Sequence, residues 1–373
     1  MKTYTLSYSP EQGFSLPLPD LADTQQILVL IFGHSDFLTD SRPFTALNAK
    51  YPHAAFMGCS SAGEILGTRI HDNTLSIALV AFEASQLRIA YADISDPVES
   101  RSVARLLADQ LCGDGLKGVF VLSEGLHVNG SELAQGFNDV LAGITVTGGL
   151  AGDGDRFSKT WVLKNGQPCS HCVAVLGLYG KVNIGHGSKG GWKSFGPARE
   201  VTRAEHNVLY ELAGKPALAL YKTYLGEMAT GLPATGLRFP LALSMPGEEK
   251  ELVRTILSID ETTQSLTFAG DIPVGSYAQL MRANLEQLVD GAEDAALMSA
   301  TQTDQPVLSI AISCVGRRMV MGTDAEEEVE AVLSILPEQT QQVGFYSYGE
   351  ISPYAKGTCD LHNQTMTLTT LYE

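Results

Sequence analysis

The chain has 373 residues, 44% hydrophobic and 18% charged, with a mean hydropathy of +0.04, which excludes wholesale disorder and supplies enough apolar material for two domains. Its 25 basic and 42 acidic residues leave a net charge of −17, a field that repels phosphate backbones and anionic lipid and so argues against nucleic acid or membrane as partners. Six scattered cysteines read as reduced thiols rather than a disulfide framework.

The opening Met1–Tyr8 alternates polar and apolar residues like a strand, not like a secretory leader, so a cytoplasmic location is expected. The longest clean apolar run, Ile27–Phe32, is too short to cross a bilayer and predicts a strand covered on both faces. Asp96-Pro97-Val98-Glu99 is a capping box with proline at the first helical position, and Val103, Leu106, Leu107 and Leu111 carry the helix to Gly113. Strands follow at Val119–Leu122 and Ile144–Thr147, separated by a helix bearing Leu133, Phe137, Val140 and Leu141. After Gly154, strands at Val173–Leu176 and Val182–Ile184 suggest antiparallel hairpins added to a mixed sheet.

A helix is expected from Ala217 to Leu225, and a second block starts near Gly231 with strands at Phe239–Leu243, Leu252–Ile259 and Ser265–Phe268. The spacing of Leu280, Met281, Leu285, Leu288 and Val289 predicts a helix after Ser276. A strand at Val307–Ile312 and a helix opened by Glu326-Glu327-Glu328, read as a solvated first turn, complete the pattern. The fold class is therefore α/β in the mixed α+β sense, with mixed sheets packed between flanking helices. The division is an N-terminal strand segment at 1–26, a first domain at 27–225 and a second at 226–373.

Gly148-Gly149-Leu150-Ala151-Gly152-Asp153-Gly154 follows a strand but has neither dinucleotide-fingerprint nor P-loop spacing, and reads first as a chain crossing. Gly185-His186-Gly187 and Gly190-Gly191-Trp192 set an imidazole and an indole in a stripped backbone, which allows close approach of a flat ligand or of another segment. Gly63-Glu64-Ile65 and Gly349-Glu350-Ile351 repeat one another at turns leaving strands.

Taken together, Gly58-Cys59-Ser60-Ser61-Ala62-Gly63-Glu64-Ile65, Thr147–Asp153 and Gly344–Ile351 resemble the FIST domain family, with an N-terminal and a C-terminal FIST region spanning nearly the whole chain. Gly185–Trp192, Phe195-Gly196-Pro197, Val201-Thr202-Arg203 and Asn207–Leu212 resemble its nitric-oxide-sensing branch. That resemblance implies a bacterial, non-enzymatic sensor that binds haem b, takes nitric oxide on the iron, and controls a partner histidine kinase or a cyclic-di-GMP enzyme (diguanylate cyclase or phosphodiesterase), with roles in two-component signalling and biofilm control. Leu212-Ala213-Gly214 departs from the family's Leu-Asp-Gly run by losing a carboxylate.

Haem iron needs an axial donor and an apolar pocket. His186 is the first candidate ligand, with Trp192 as pocket wall, followed by His127 and His34. Cys169-Ser170-His171-Cys172 reads as turn residues, with a redox pair or an intersubunit zinc site as alternatives. A homodimer is allowed. The competing function is a binding module for an amino acid or similar metabolite, with Arg203, Arg254 or Arg317 taking its carboxylate; a cysteine enzyme using Cys59 or Cys314 is the third.

Overall fold

A computed structural model describes residues 1–373 apart from 23, 25, 248–250, 301–302 and 356–357, and apart from the side chains at 354 and 355. Ile27–His34 is a strand paired parallel to Ala55–Ser61 and antiparallel to Leu75–Ala81 within a seven-stranded sheet. Its alternation divides the apolar run between two cores. Ile27, Val29 and Ile31 pack with Phe44 and Leu47 of the helix Arg42–Lys50 and with Trp161, whereas Leu28, Leu30 and Phe32 face a central core. Both faces are covered, which is why the run is continuous rather than alternating.

Three sheets meet at that central core. A six-stranded sheet brings Phe120 and Leu122 from Leu116–Ser123 and Ala174 and Leu176 from Cys172–Tyr179. Another six-stranded sheet brings Ile310 and Ile312 from Leu308–Cys314 and Val343 and Phe345 from Gln341–Ser347. Phe32 stacks on Phe345 with ring centroids 4.8 Å apart, and each such fully buried side chain stabilises the fold by about 1.5–3 kcal/mol. The outer faces carry helices: Ser100–Leu111 and Gly130–Val140 on one sheet, Leu285–Ser299 and Glu326–Ile335 on the other. The architecture is mixed α+β with sheets between flanking helices. A fourth, eight-stranded sheet built from residues 193–282 packs with the helix Ala217–Leu225.

The two halves of the chain exchange strands. Glu64–Leu66 pairs with Gln341–Ser347, Gly349–Ala355 pairs with Thr145–Leu150, and Asn183–Lys189 pairs with Met366–Tyr372. Each of the three converging sheets contains one parallel pair, formed by Ile27–His34 with Ala55–Ser61, Leu116–Ser123 with Thr145–Leu150, and Leu308–Cys314 with Gln341–Ser347.

Some expectations are corrected. The segment after Ser276 is a strand, Tyr277–Arg282, and the helix begins only at Leu285. Leu280 and Met281 are buried in different cores because they project from opposite faces of that strand; Asn284 supplies the helix cap, accepting from the Gln287 N–H at 2.9 Å. The single strand expected over Leu252–Ile259 is two, Glu251–Arg254 and Ile256–Asp260, at opposite edges of the eight-stranded sheet. Leu106, placed on the buried face of its helix by periodicity, is 54% exposed. Glu328 is not solvated: it is fully buried and ion-paired with Arg317 at 2.6 Å.

Candidate functional site

The loops that leave the parallel pairs meet in one crevice. Ala62 donates its N–H to the Tyr346 carbonyl (2.8 Å), Tyr346 returns one to Gly63 (2.9 Å), Gly152 donates to Ser60 (3.0 Å) and Tyr348 donates to Leu150 (3.2 Å). Three segments far apart in sequence, 58–65, 147–153 and 344–351, are thereby laced together by backbone hydrogen bonds. Open sheets place ligand sites in such crevices, beyond the carboxyl ends of parallel strands. Glycine is favoured at Gly63, where φ is 146° and a Cβ would collide with the Arg318 guanidinium, and a Cβ on Gly152 would sit tightly, 3.1 Å from the Tyr346 carbonyl oxygen.

The crevice encloses about 350 Å³ and is lined by His34, Glu64, Asp72, Asp153, Asp155, Arg156 and Arg318 among others, a mixture of both charges within a volume suited to a small ligand. Arg156 donates Nε–H to the Asp153 carbonyl (2.7 Å), Nη1–H to His34 Nε2 (3.1 Å) and Nη2–H to Ser35 Oγ (3.1 Å). Three of its five N–H groups are thus engaged, which leaves one on each terminal nitrogen. Arg318 forms a bidentate pair with Asp72 (2.9 and 2.8 Å) and lies over the Tyr346 ring, 5.5 Å from its centroid.

The acidic side is divided by burial. Burial pushes Glu64 up to about 8, against hydrogen bonds from the Thr74 N–H (3.1 Å) and hydroxyl (3.2 Å), so it is largely neutral at pH 7. Burial also acts upward on Asp153, but hydrogen bonds from the Tyr348 hydroxyl, the Lys159 and Ser158 N–H groups and the Ser158 hydroxyl prevail and hold it below the usual carboxylate range. Asp155 is exposed at the rim. The Gly-Glu-Ile repeat has a structural counterpart: Glu350, pushed by burial up to about 8, accepts from the Thr365 N–H (3.2 Å) and hydroxyl (2.8 Å) as Glu64 does from Thr74.

The residues singled out in the sequence are dispersed. His186 lies on Asn183–Lys189 with its flanking glycines against the helix Leu285–Ser299: a Cβ on Gly187 would strike the Ala295 carbonyl and one on Gly185 the Ser299 carbonyl. What approaches the stripped backbone is a helix, which fills the space a haem edge would need. His186 Nδ1 is buried without a hydrogen-bond partner, and burial lowers its pKa, yet it does not line the cavities of about 600, 350 and 640 Å³. Trp192 packs with Ala242, Met281, Leu288 and Met321 and donates Nε1–H to the Gln364 carbonyl at 2.9 Å. The placements of His186 and Trp192 do not fit a haem pocket.

His34 lies in the crevice, but Arg156 can only donate, so Nε2 accepts and has no lone pair free for iron; burial first, and Arg156 next, lower its pKa. Cys172 is fully buried with its thiol pushed up to about 12, chiefly by burial, and Cys169 is half-buried with its sulfur on the Ser170 carbonyl (3.3 Å); both are free thiols. Cys59 and Cys314 are buried, and burial raises both thiols. His127 and His171 are both exposed and face one another, ring centroids 4.6 Å apart.

None of the three arginines offered for a carboxylate occupies the crevice. Arg317 is buried against Glu328, Arg254 is buried and donates to the Asp271 and Leu361 carbonyls (each 3.1 Å), and Arg203 covers the Tyr210 ring. Arg156 and Arg318 line the crevice instead. Sequence reasoning missed Arg156, although it stands two residues beyond the Gly148–Gly154 run. A second cavity of about 640 Å³, lined by apolar side chains including Leu126, Leu257 and Phe268 with His206 at its wall, also escaped it.

The FIST N domain model matches residues 27–215 and the FIST C domain model residues 217–353. The chain is 24% identical over 363 residues to an uncharacterized protein of Mycobacterium tuberculosis, covering 94% of this chain and 92% of that protein. It is 24% identical over 373 residues to an uncharacterized protein of Methanocaldococcus jannaschii, covering 86% and 68% respectively.

Proposed function

Since the chain belongs to the FIST family, whose domains are sensor modules of signal transduction, we propose that it is a receptor for a small zwitterionic metabolite of the amino-acid class, bound in the crevice between Arg156 and Arg318. The observation that supports this reading is that residues 61–64, 72–73 and 153–156, together with Arg318, line one crevice that presents guanidinium N–H groups beside carboxylates. A guanidinium matches a ligand carboxylate and the Asp153 and Asp155 carboxylates match its ammonium. Occupancy pulls together loops that belong to different sheets, and a partner enzyme, a histidine kinase or a cyclic-di-GMP enzyme, reads the change. A thermal-shift screen of the twenty amino acids and simple carboxylates tests it: a hit that raises the Tm of the native chain and not of Arg156→Ala is expected, and no hit overturns it.

The haem-based nitric oxide sensor is the second reading. It draws on the apolar cavity of about 640 Å³ with His206 at its wall, not on His186. There His206 would be the donor to iron, and Leu126 and Phe268 would offer apolar contact to a group that supplies a gas-binding metal. A chain expressed with ample porphyrin then shows a Soret band that moves with nitric oxide and is lost in His206→Ala. A colourless product removes this reading and leaves the first untouched.

A further inference from the structure

Glu124, His127 and His171 form a cluster that neither reading uses. Their ligand atoms, one carboxylate oxygen and two ring nitrogens, all lie within 4.8 Å of one another. Strand register produces the arrangement. Glu124 directly follows Leu116–Ser123, and its N–H donates to the carbonyl of Cys172 (2.9 Å), the first residue of the antiparallel neighbour Cys172–Tyr179. His171 immediately precedes that residue, at φ 54°, with its carbonyl taken by the Ile94 N–H at 2.9 Å. Two residues 47 positions apart are therefore fixed beside each other by the sheet, while the turn at Gly125-Leu126 returns His127 to the carboxylate, its Nδ1 3.4 Å from Glu124 Oε2.

The carboxylate is prepared as a ligand. Glu124 is 1% exposed; its Oε2 accepts from the Leu126 N–H (3.1 Å) and the Thr160 hydroxyl (3.4 Å), and its Oε1 from the His127 N–H. These bonds fix its rotamer and supply the outer contacts that hold ligating carboxylates in place. Among the described residues its one ion-pair partner is His127, so a buried carboxylate lacks a permanent cation. Tetrahedral zinc with ligands at about 2.0–2.2 Å places neighbouring donor atoms roughly 3.3 Å apart, close to the 3.4 Å between Glu124 and His127.

We propose that Glu124, His127 and His171 bind one divalent ion of the zinc class, with water in the remaining position. Two imidazoles and one carboxylate suit Zn²⁺ or Co²⁺ and disfavour Ca²⁺ and Mg²⁺, which take oxygen donors. The ion ties the end of one strand to the start of its neighbour and holds the turn whose Gly125, Leu126, Val128 and Asn129 line the 640 Å³ cavity. The site shares no residue with the Arg156–Arg318 crevice, so it stands or falls independently of the receptor reading.

Equilibrium dialysis of the full chain against Zn²⁺, and visible absorption with Co²⁺, test the proposal. One equivalent of Zn²⁺ per chain and d–d bands of bound Co²⁺ are expected. His127→Gln and His171→Asn each weaken binding at least tenfold, and the double variant abolishes it with the Tm of the metal-free chain unchanged. Both histidines are exposed and asparagine tolerates the left-handed backbone of position 171, so these variants fold. Cys112→Ser and Cys169→Ser leave uptake intact. No stoichiometric uptake, uptake retained by the double histidine variant, or uptake lost with the thiols would overturn the assignment.

Discussion

Glu64 and Glu350 are buried carboxyl groups whose pKa burial raises to about 8, from a value near 4.5 in the unfolded chain. Between those limits the folded chain holds a proton at each that the unfolded chain has released. Their contribution is therefore fully present below about pH 4.5 and is lost as pH climbs towards 8. Urea unfolding at pH 5, 6.5 and 8 should show the native chain losing stability against Glu64→Gln/Glu350→Gln, the difference widening with pH; parallel profiles would contradict it. Ala213, where the resemblance leads one to expect aspartate, lies at φ 49°, a left-handed conformation that costs an alanine about 1–2 kcal/mol. Ala213→Gly is accordingly expected to raise stability by about 1 kcal/mol by denaturant titration, and a loss of stability would refute the strain.

At the scale of elements, the strand Asn183–Lys189 and the helix Leu285–Ser299 touch through the glycines beside His186. Gly187→Ala forces the helix away or bends the strand, at a cost of about 1–3 kcal/mol. A Tm lowered by several degrees is the expected outcome, whereas an unchanged Tm would mean that the glycines keep open space there. The sequence made close approach legible at this point but not what approaches, because a helix backbone and a flat ligand demand the same missing Cβ. Ile27–Phe32 was legible as a strand covered twice because both faces carry apolar side chains. Tyr277–Arg282 was not, since Leu280 and Met281, buried on opposite faces of a strand, combine with Leu285 and Leu288 to imitate helical spacing. The arginines of the crevice and the pairing of His127 with His171 depend on strand register between distant segments, which no local pattern carries.

At the scale of the whole molecule, the exchange of strands makes each half depend on the other. A fragment of residues 27–225 lacks Gly349–Ala355 and Gln341–Ser347, and with them Phe345, the partner of Phe32 in the central core. Expressed alone it should show no cooperative melt by circular dichroism, and a sharp transition would contradict this interdependence. Under the proposed receptor role this exchange would carry the signal, since a ligand seated between Arg156 and Arg318 would bear on both halves at once. Isothermal titration of the metabolite found by screening, into the native chain, Arg156→Ala and His186→Ala, decides whether the crevice is the receptor site. Binding is expected to fall at least tenfold in Arg156→Ala and to be unchanged in His186→Ala; binding that survives the first substitution and fails in the second would place the receptor site elsewhere in the molecule.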